Sequence, residues 1–157
     1  MKVTLIQVGR TEEPWLKEGI EVYAKRLGHY LPFSVVELAA LKSKTRLSPE
    51  QQKEKEGELI LKALMPGDKV YLLDENGKEY SSPALATLLQ MQMNGSVKNL
   101  VFIIGGPFGF SKAVYERCDG KVALSKLTFT HQMVRLFYTE QLYRAMTILR
   151  GEKYHHE

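Results

Sequence analysis

The sequence predicts one α/β domain: a mainly parallel sheet of about five strands with helices flanking it. Short β-branched or apolar runs alternate along the whole chain with segments whose apolar residues recur at threes and fours. No repeat, low-complexity run or linker interrupts that alternation. At 157 residues, with 44% hydrophobic and 25% charged residues, the chain is long enough for one buried core and has an ordinary globular composition.

Residues 3–8 are apolar apart from Thr4 and Gln7 and read as a strand that Gly9 ends. From Glu12 the spacing changes. Trp15, Leu16, Ile20, Tyr23, Ala24 and Leu27 share one face while Lys17, Glu18, Glu21, Lys25 and Arg26 fill the other, which predicts an amphipathic helix ending near Gly28. Residues 33–38 form a second short strand, so the first forty residues make a βαβ unit, right-handed if its strands are parallel. Lys42, Lys44 and Arg46 follow in a loop with Ser43 and Thr45; a solvated connection and a phosphate-contacting loop are both open there.

Ser48-Pro49-Glu50-Gln51 predicts a capped helix start, with Ser48 as N-cap, Pro49 at the first helical position and Gln51 closing the box. That helix runs to about Leu64, with Lys53, Glu54, Lys55, Glu56 and Glu58 on a solvated face. Pro66-Gly67-Asp68 is a turn, and residues 70–73 are a third strand ending at Asp74-Glu75-Asn76-Gly77. Ser82-Pro83 repeats the cap-then-proline pattern and starts a helix that carries Leu85, Leu88, Leu89 and Met93 and closes at Asn94-Gly95. Residues 100–104 are apolar without a break and predict the middle strand of the sheet, covered on both faces. Ser111 is the expected N-cap of a short helix to about Cys118, and residues 122–124 the last strand. From His131 to Leu149 the residues Val134, Phe137, Tyr138, Leu142, Ala145, Met146 and Leu149 recur at helical spacing, and Glu140 and Arg144 pair at i, i+4.

Several chemistries are excluded by residue type. A single cysteine, Cys118, forms no internal disulfide, which suits a reducing compartment, and no base is identifiable to activate it as a nucleophile. One cysteine with His29, His131, His155 and His156 gives no zinc spacing, so no metal is expected. GGPFGFSK matches neither the P-loop nor the dinucleotide glycine spacing, and no G-x-S-x-G elbow occurs. The first fifteen residues lack the apolar run of a signal peptide, and no segment is long enough to cross a bilayer; a cytoplasmic protein with a native GEKYHHE tail is the expectation. A net charge of +4 and a pI near 9.1 favour a polyanionic partner without requiring one.

Ligands of open parallel sheets bind beyond the carboxyl ends of the strands. Here those ends are Leu73-Asp74-Glu75, Gly105-Gly106-Pro107 and Leu124-Ser125-Lys126. Glycines after a buried strand admit a ligand close to the backbone, yet a tight turn without a ligand explains them equally. With polyphosphate fingerprints absent, a ligand without a phosphate tail stays open. His29 reads as a surface residue. His131, between a strand-end loop and a helix, belongs either to a site or only to the helix start.

The runs IIGGPFGFS, ALSKLTFTHQMVRLFYTEQLYRAMTIL and YHH, with VTLIQVGR, KEKEGELIL and LLDENGKEYSS, resemble the SPOUT-class methyltransferases. Within that class they resemble the small single-domain family that methylates N3 of a pseudouridine in large-subunit (23S) ribosomal RNA. The likeness covers nearly the whole chain, 1–157. It implies a deep C-terminal trefoil knot, an exception to unknotted topology. It also implies S-adenosyl-L-methionine as cofactor, held mainly by backbone groups of Leu73, Gly105, Leu124, Ser125, Lys126, Leu127, Thr128 and Phe129. A homodimer is implied too, with its RNA pocket assembled across two chains and the ribosome as substrate. The family motif commonly has proline where this chain has Thr130.

A methyl sulfonium is already electrophilic, so the protein must align the acceptor nitrogen and help remove its proton. His131, Tyr154 and His155 are the residues expected near that chemistry. Arg144 is expected to orient a phosphate or the base edge, with Glu140 as its helix partner. Two alternatives are open: a SPOUT enzyme for transfer RNA or another ribosomal site, and a non-catalytic ribosome-assembly factor. Replacing Lys42, Lys44 and Arg46 together by alanine is expected to weaken ribosome binding while leaving cofactor affinity unchanged; equal loss of both removes the loop's RNA role.

Overall fold

The computed structural model describes residues 1–41 and 46–156. Its elements are β1 (Lys2–Val8), α1 (Pro14–Leu27), β2 (Phe33–Leu38), α2 (Pro49–Ala63), β3 (Lys69–Glu79), α3 (Ser82–Asn94), β4 (Asn99–Ile104), α4 (Lys112–Arg117), β5 (Gly120–Ala123) and α5 (His131–Leu149). The strands form a five-stranded sheet in the order β2-β1-β4-β3-β5, and every pairing is parallel. The unbroken apolar run at residues 100–104 is therefore the middle strand, as its composition predicts.

Alternation along β4 divides the core in two. Leu100, Phe102 and Ile104 point to a layer with Leu27, Leu85, Leu89, Tyr138 and Leu142, so α1, α3 and α5 cover that face. Val101 and Ile103 point the other way, toward Ile60 and Val114 of α2 and α4. Phe102 and Tyr138 meet edge to face with ring centroids 4.9 Å apart, which fixes α5 over the sheet centre.

The cap of α2 forms as read: Ser48 Oγ accepts from Gln51 N at 3.2 Å and Gln51 Oε1 accepts from Ser48 N at 3.0 Å. Elsewhere the structure corrects the reading. The cap of α3 is Ser81, whose Oγ accepts from Ala84 N at 3.2 Å, while Ser82 is already helical and donates to Gln141. β3 does not stop at Leu73. Leu73 and Lys78 both pair with Val122, so Asp74–Gly77 bulge out of the strand and pairing resumes beyond them. A Cβ at Gly77 would lie 2.7 Å from the backbone of Val122, so only glycine lets the bulge close on β5. β5 is shifted to Gly120–Ala123 because Gly120 passes under the ring of Tyr71. α1 starts at Pro14, with Glu13 as an N-cap that makes no side-chain bond. Glu56, read as part of a solvated face, is only 4% exposed. It precedes Ile60 by one helical repeat and shares its buried face, where Gly57 packs against Ser111 at the start of α4.

Arg135 joins the two ends of the chain. Its side chain is fully buried on α5 and reaches back to the end of β1. Nη2 donates to Val8 O at 2.7 Å, and Nη1 donates to Gly9 O and Thr11 Oγ1, both at 3.1 Å. Gln132 completes the tie by donating to Arg10 O and accepting from Glu12 N, each at 3.0 Å. Among the described residues no helix is long and apolar enough to cross a membrane. Arg135→Met leaves the Val8 and Gly9 carbonyls buried without their donor and is expected to lower stability by about 3 kcal/mol, read as a fall in the urea midpoint. Arg135→Lys recovers only part of the loss, because an ammonium cannot reproduce the fork.

Candidate functional site

Loops leaving β3, β4 and β5 converge on one cavity of about 630 Å³. From β3 come Leu73 and the bulge residues Asp74, Glu75 and Asn76; from β4 come Gly105 and the strap Gly106–Phe110. The loop after β5 contributes Leu124, Ser125, Leu127, Thr128 and Phe129, and α5 adds His131 and Val134. The strap is a tight turn in which Gly109 N donates to Gly106 O at 3.2 Å and Gly109 has φ +83, a left-handed conformation suited to glycine. Against its inner side lies the ring of Phe110, 3.0 Å from where a Cβ on Gly105 would sit.

Local bonds hold the other two loops. Asp74 accepts from Asn76 N at 2.8 Å and from the hydroxyl of Tyr115, which ties the β3 bulge to α4. Burial first, and then the Asp74 carboxylate, push the Tyr115 hydroxyl well above its ordinary range. Ser125 Oγ accepts from Leu127 N at 2.9 Å, and Thr130 Oγ1 accepts from Met133 N at 3.1 Å. Thr130 is therefore the N-cap of α5, a role that its hydroxyl fits.

The structure thus brings Leu73, Gly105, Leu124, Ser125, Leu127, Thr128 and Phe129 around one cavity, with half-buried His131 at its edge. Lys126 is exposed and is not among the residues lining it. No lysine or arginine lines the cavity among the described residues, whereas Asp74 and Glu75 do. On the far side of the strap a second cavity, of about 520 Å³, is bounded by Gly9, Arg10, Arg46, Glu56 and again His131. Arg46 is exposed there; Lys42 and Lys44 lie outside the described residues.

Arg144, Tyr154 and His155 assemble elsewhere. The tail folds back on α5, where Arg144 Nη2 donates to Glu140 Oε1 at 2.6 Å and Arg144 Nη1 lies 3.2 Å from His155 Nδ1. Tyr154 Oη donates to the same Glu140 oxygen at 2.9 Å, and its ring lies under the Arg144 guanidinium at 4.7 Å and against Tyr143 at 4.8 Å. Burial, and then the bond to Glu140, hold the Tyr154 hydroxyl protonated well above its ordinary range. None of these three residues lines the cavity of its own chain. Glu140 is the helix partner of Arg144, as its spacing predicts.

His29 is exposed, and Cys118 is a half-buried free thiol whose pKa is raised by burial, the opposite of activation. Among the described residues no three His, Cys, Asp or Glu side chains group as metal ligands. Sequence reasoning missed the Asp74–Tyr115 tie, Arg135 and Glu56. Glu56 carried a signal in its helical spacing from Ile60, and Arg135 one in its spacing from Tyr138 and Leu142 on the apolar face of α5.

A cavity walled by the loops of an all-parallel sheet, a glycine strap and a polar loop opening the last helix is a place for a ligand. The sequence family described as "Predicted SPOUT methyltransferase" matches residues 1–155, and the chain belongs to the SPOUT methyltransferases. Over 157 residues, all of both chains, it is 54% identical to "Ribosomal RNA large subunit methyltransferase H" of Parabacteroides distasonis. A protein of the same name from Christiangramia forsetii is 51% identical over 156 residues, 99% of each chain. The structure of a probable methylase family protein from Haemophilus influenzae Rd KW20 shares the fold, with a TM-score of 0.50 at 12% identity over 98% of this chain and 69% of that one.

The tail is also held by Tyr30, whose hydroxyl donates to Glu152 at 2.7 Å. Burial and the Glu152 carboxylate push that hydroxyl from 10.0 up to about 12. The folded chain then binds this proton more tightly than the unfolded chain, so the stabilisation is intact below the first value and lost between the two as pH rises. The urea midpoint should fall across that window, and fall less steeply in Tyr30→Phe.

Proposed function

We propose that this chain transfers the methyl group of S-adenosyl-L-methionine to N3 of a pseudouridine in 23S ribosomal RNA, acting on assembled ribosomes in the cytoplasm. In this reading residues 1–157 work as one domain, carry the deep trefoil knot of the family and function as a homodimer. The observation that carries it is the cavity at the β3 bulge and the ends of β4 and β5, lined by seven of the eight positions that the family resemblance assigns to the cofactor. Relatives similar over their full length are named as large-subunit ribosomal RNA methyltransferases.

The residues fit that cofactor. Leu73, Ile104, Leu124, Phe129 and Val134 offer apolar walls for a flat base, and the acidic Asp74 and Glu75 suit a cation. The absence of lysine and arginine among the described lining residues argues against a polyphosphate. When bound, the cofactor supplies an electrophilic methyl on sulfur. The chain must then hold the acceptor nitrogen in line and take its proton. Tyr154, kept protonated, donates to Glu140 and so helps hold the carboxylate that anchors Arg144; His131 and His155 are the proposed proton acceptors. Arg144, anchored by Glu140, orients the acceptor base or a phosphate.

Because Arg144, Tyr154 and His155 stand away from the cavity of their own chain, they act on the cavity of a partner chain. Exposed Phe108 and Leu127 at the cavity, with exposed Phe137 tilted against Phe129 at a centroid distance of 5.2 Å, support a second chain packing close by. Gly105→Val, which blocks the cavity, and His155→Ala should each be inactive alone. Mixed and re-associated in equal amounts, they should recover about a quarter of wild-type activity, since half the dimers carry one intact composite site. Methyl label from labelled cofactor should map to 23S RNA of ribosomes from a strain lacking the modification; label on transfer RNA alone refutes the assignment.

A further inference from the structure

We infer that Glu56, behind the glycine strap, supplies the negative field by which the cavity prefers a cationic cofactor to its neutral, demethylated product; this rests on the methyltransferase reading above. Methyl transfer breaks the S–CH₃ bond and forms N–CH₃. The proton leaves the acceptor nitrogen, and the bonding pair returns to sulfur, so a sulfonium becomes an uncharged thioether. A fixed negative charge close to the sulfur therefore favours the substrate form of the cofactor and is indifferent to the sulfur of the product.

Glu56 meets the physical requirements. It is 4% exposed, on the face of α2 that turns inward with Ile60. Its carboxylate lies flat against Gly106, where a Cβ would stand 2.6 Å from Oε2 and 2.7 Å from Oε1. Only the hydrogen of a glycine thus separates the carboxylate from the strap that lines the cofactor cavity. Oε1 has no hydrogen-bond partner, and no ion pair among the described residues includes Glu56. Arg10 and Arg46 bound the same second cavity, but neither bonds to it. Burial raises its pKa, with the Gln52 side chain opposing the rise through a hydrogen bond. A buried carboxylate without a counter-ion is costly, and a cation in the adjoining cavity relieves that cost through a poorly screened field. The glycine at position 106 serves the same end, because any side chain there would push the carboxylate away.

A purely structural Glu56, bracing the strap by packing, would affect every occupant alike. Calorimetric titration of wild type and Glu56→Gln with S-adenosylmethionine, sinefungin and S-adenosylhomocysteine separates the two roles. Sinefungin carries an amine-bearing carbon in place of the sulfonium and so keeps the cation without the methyl. Glu56→Gln should weaken S-adenosylmethionine and sinefungin about tenfold and leave S-adenosylhomocysteine within about twofold. Glu56→Asp, which keeps the charge, should retain the wild-type preference and serves the same test if the glutamine variant loosens the fold. Equal loss for all three ligands, or no loss for any, overturns the inference while leaving the methyltransferase reading intact. Failure of the wild type to bind any of them removes that reading and this inference with it.

Discussion

A buried guanidinium bonded to main-chain carbonyls fastens the last helix to the first strand. Arg135 spends its charge on the Val8 and Gly9 carbonyls and the Thr11 hydroxyl, groups that the end of a strand leaves without partners. That tie sets where α5 begins, with Gln132 reinforcing it one turn earlier. The loop after β5 must then run to a fixed point. His131, the first residue of α5, is consequently held between both cavities.

The other walls of the site are positioned by close approaches that exclude side chains. Gly77 lets the β3 bulge close on β5, which throws Asp74 out to meet Tyr115. Gly57 lets α2 lie on the start of α4, and this brings Glu56 up to Gly106. The same contacts that order the backbone also place a carboxylate one glycine away from the cavity proposed for the cofactor.

The tail forms a separate unit. Tyr30, Glu140, Tyr143 and Arg144 clamp residues 151–156 against α5 and the turn after α1 through hydrogen bonds and edge-to-face rings. A rigid polar cluster held away from its own cavity, with exposed apolar side chains around that cavity, is the arrangement expected of a site completed by a second copy. That placement is the support for the proposed dimer.

Much of this was legible before any coordinates. Helix α5 runs over the very residues its apolar spacing predicts, and the unbroken run at 100–104 marked the middle of the sheet, because only a strand covered on both faces tolerates no polar side chain. The three segments singled out as strand ends on the argument from parallel topology do meet around one cavity, and seven of the eight positions that the family resemblance named are among its lining residues. What periodicity could not supply is set by contacts distant in sequence. The continuation of β3 past its bulge depends on β5, and the burial of Arg135 depends on strand-end carbonyls 126 and 127 positions away. The separation of the tail cluster from the cavity depends on how α5 lies across the sheet. Local sequence determined the elements and their order, since those rest on hydrophobic pattern and capping; only tertiary packing decided which polar groups were buried, and so where the charges act.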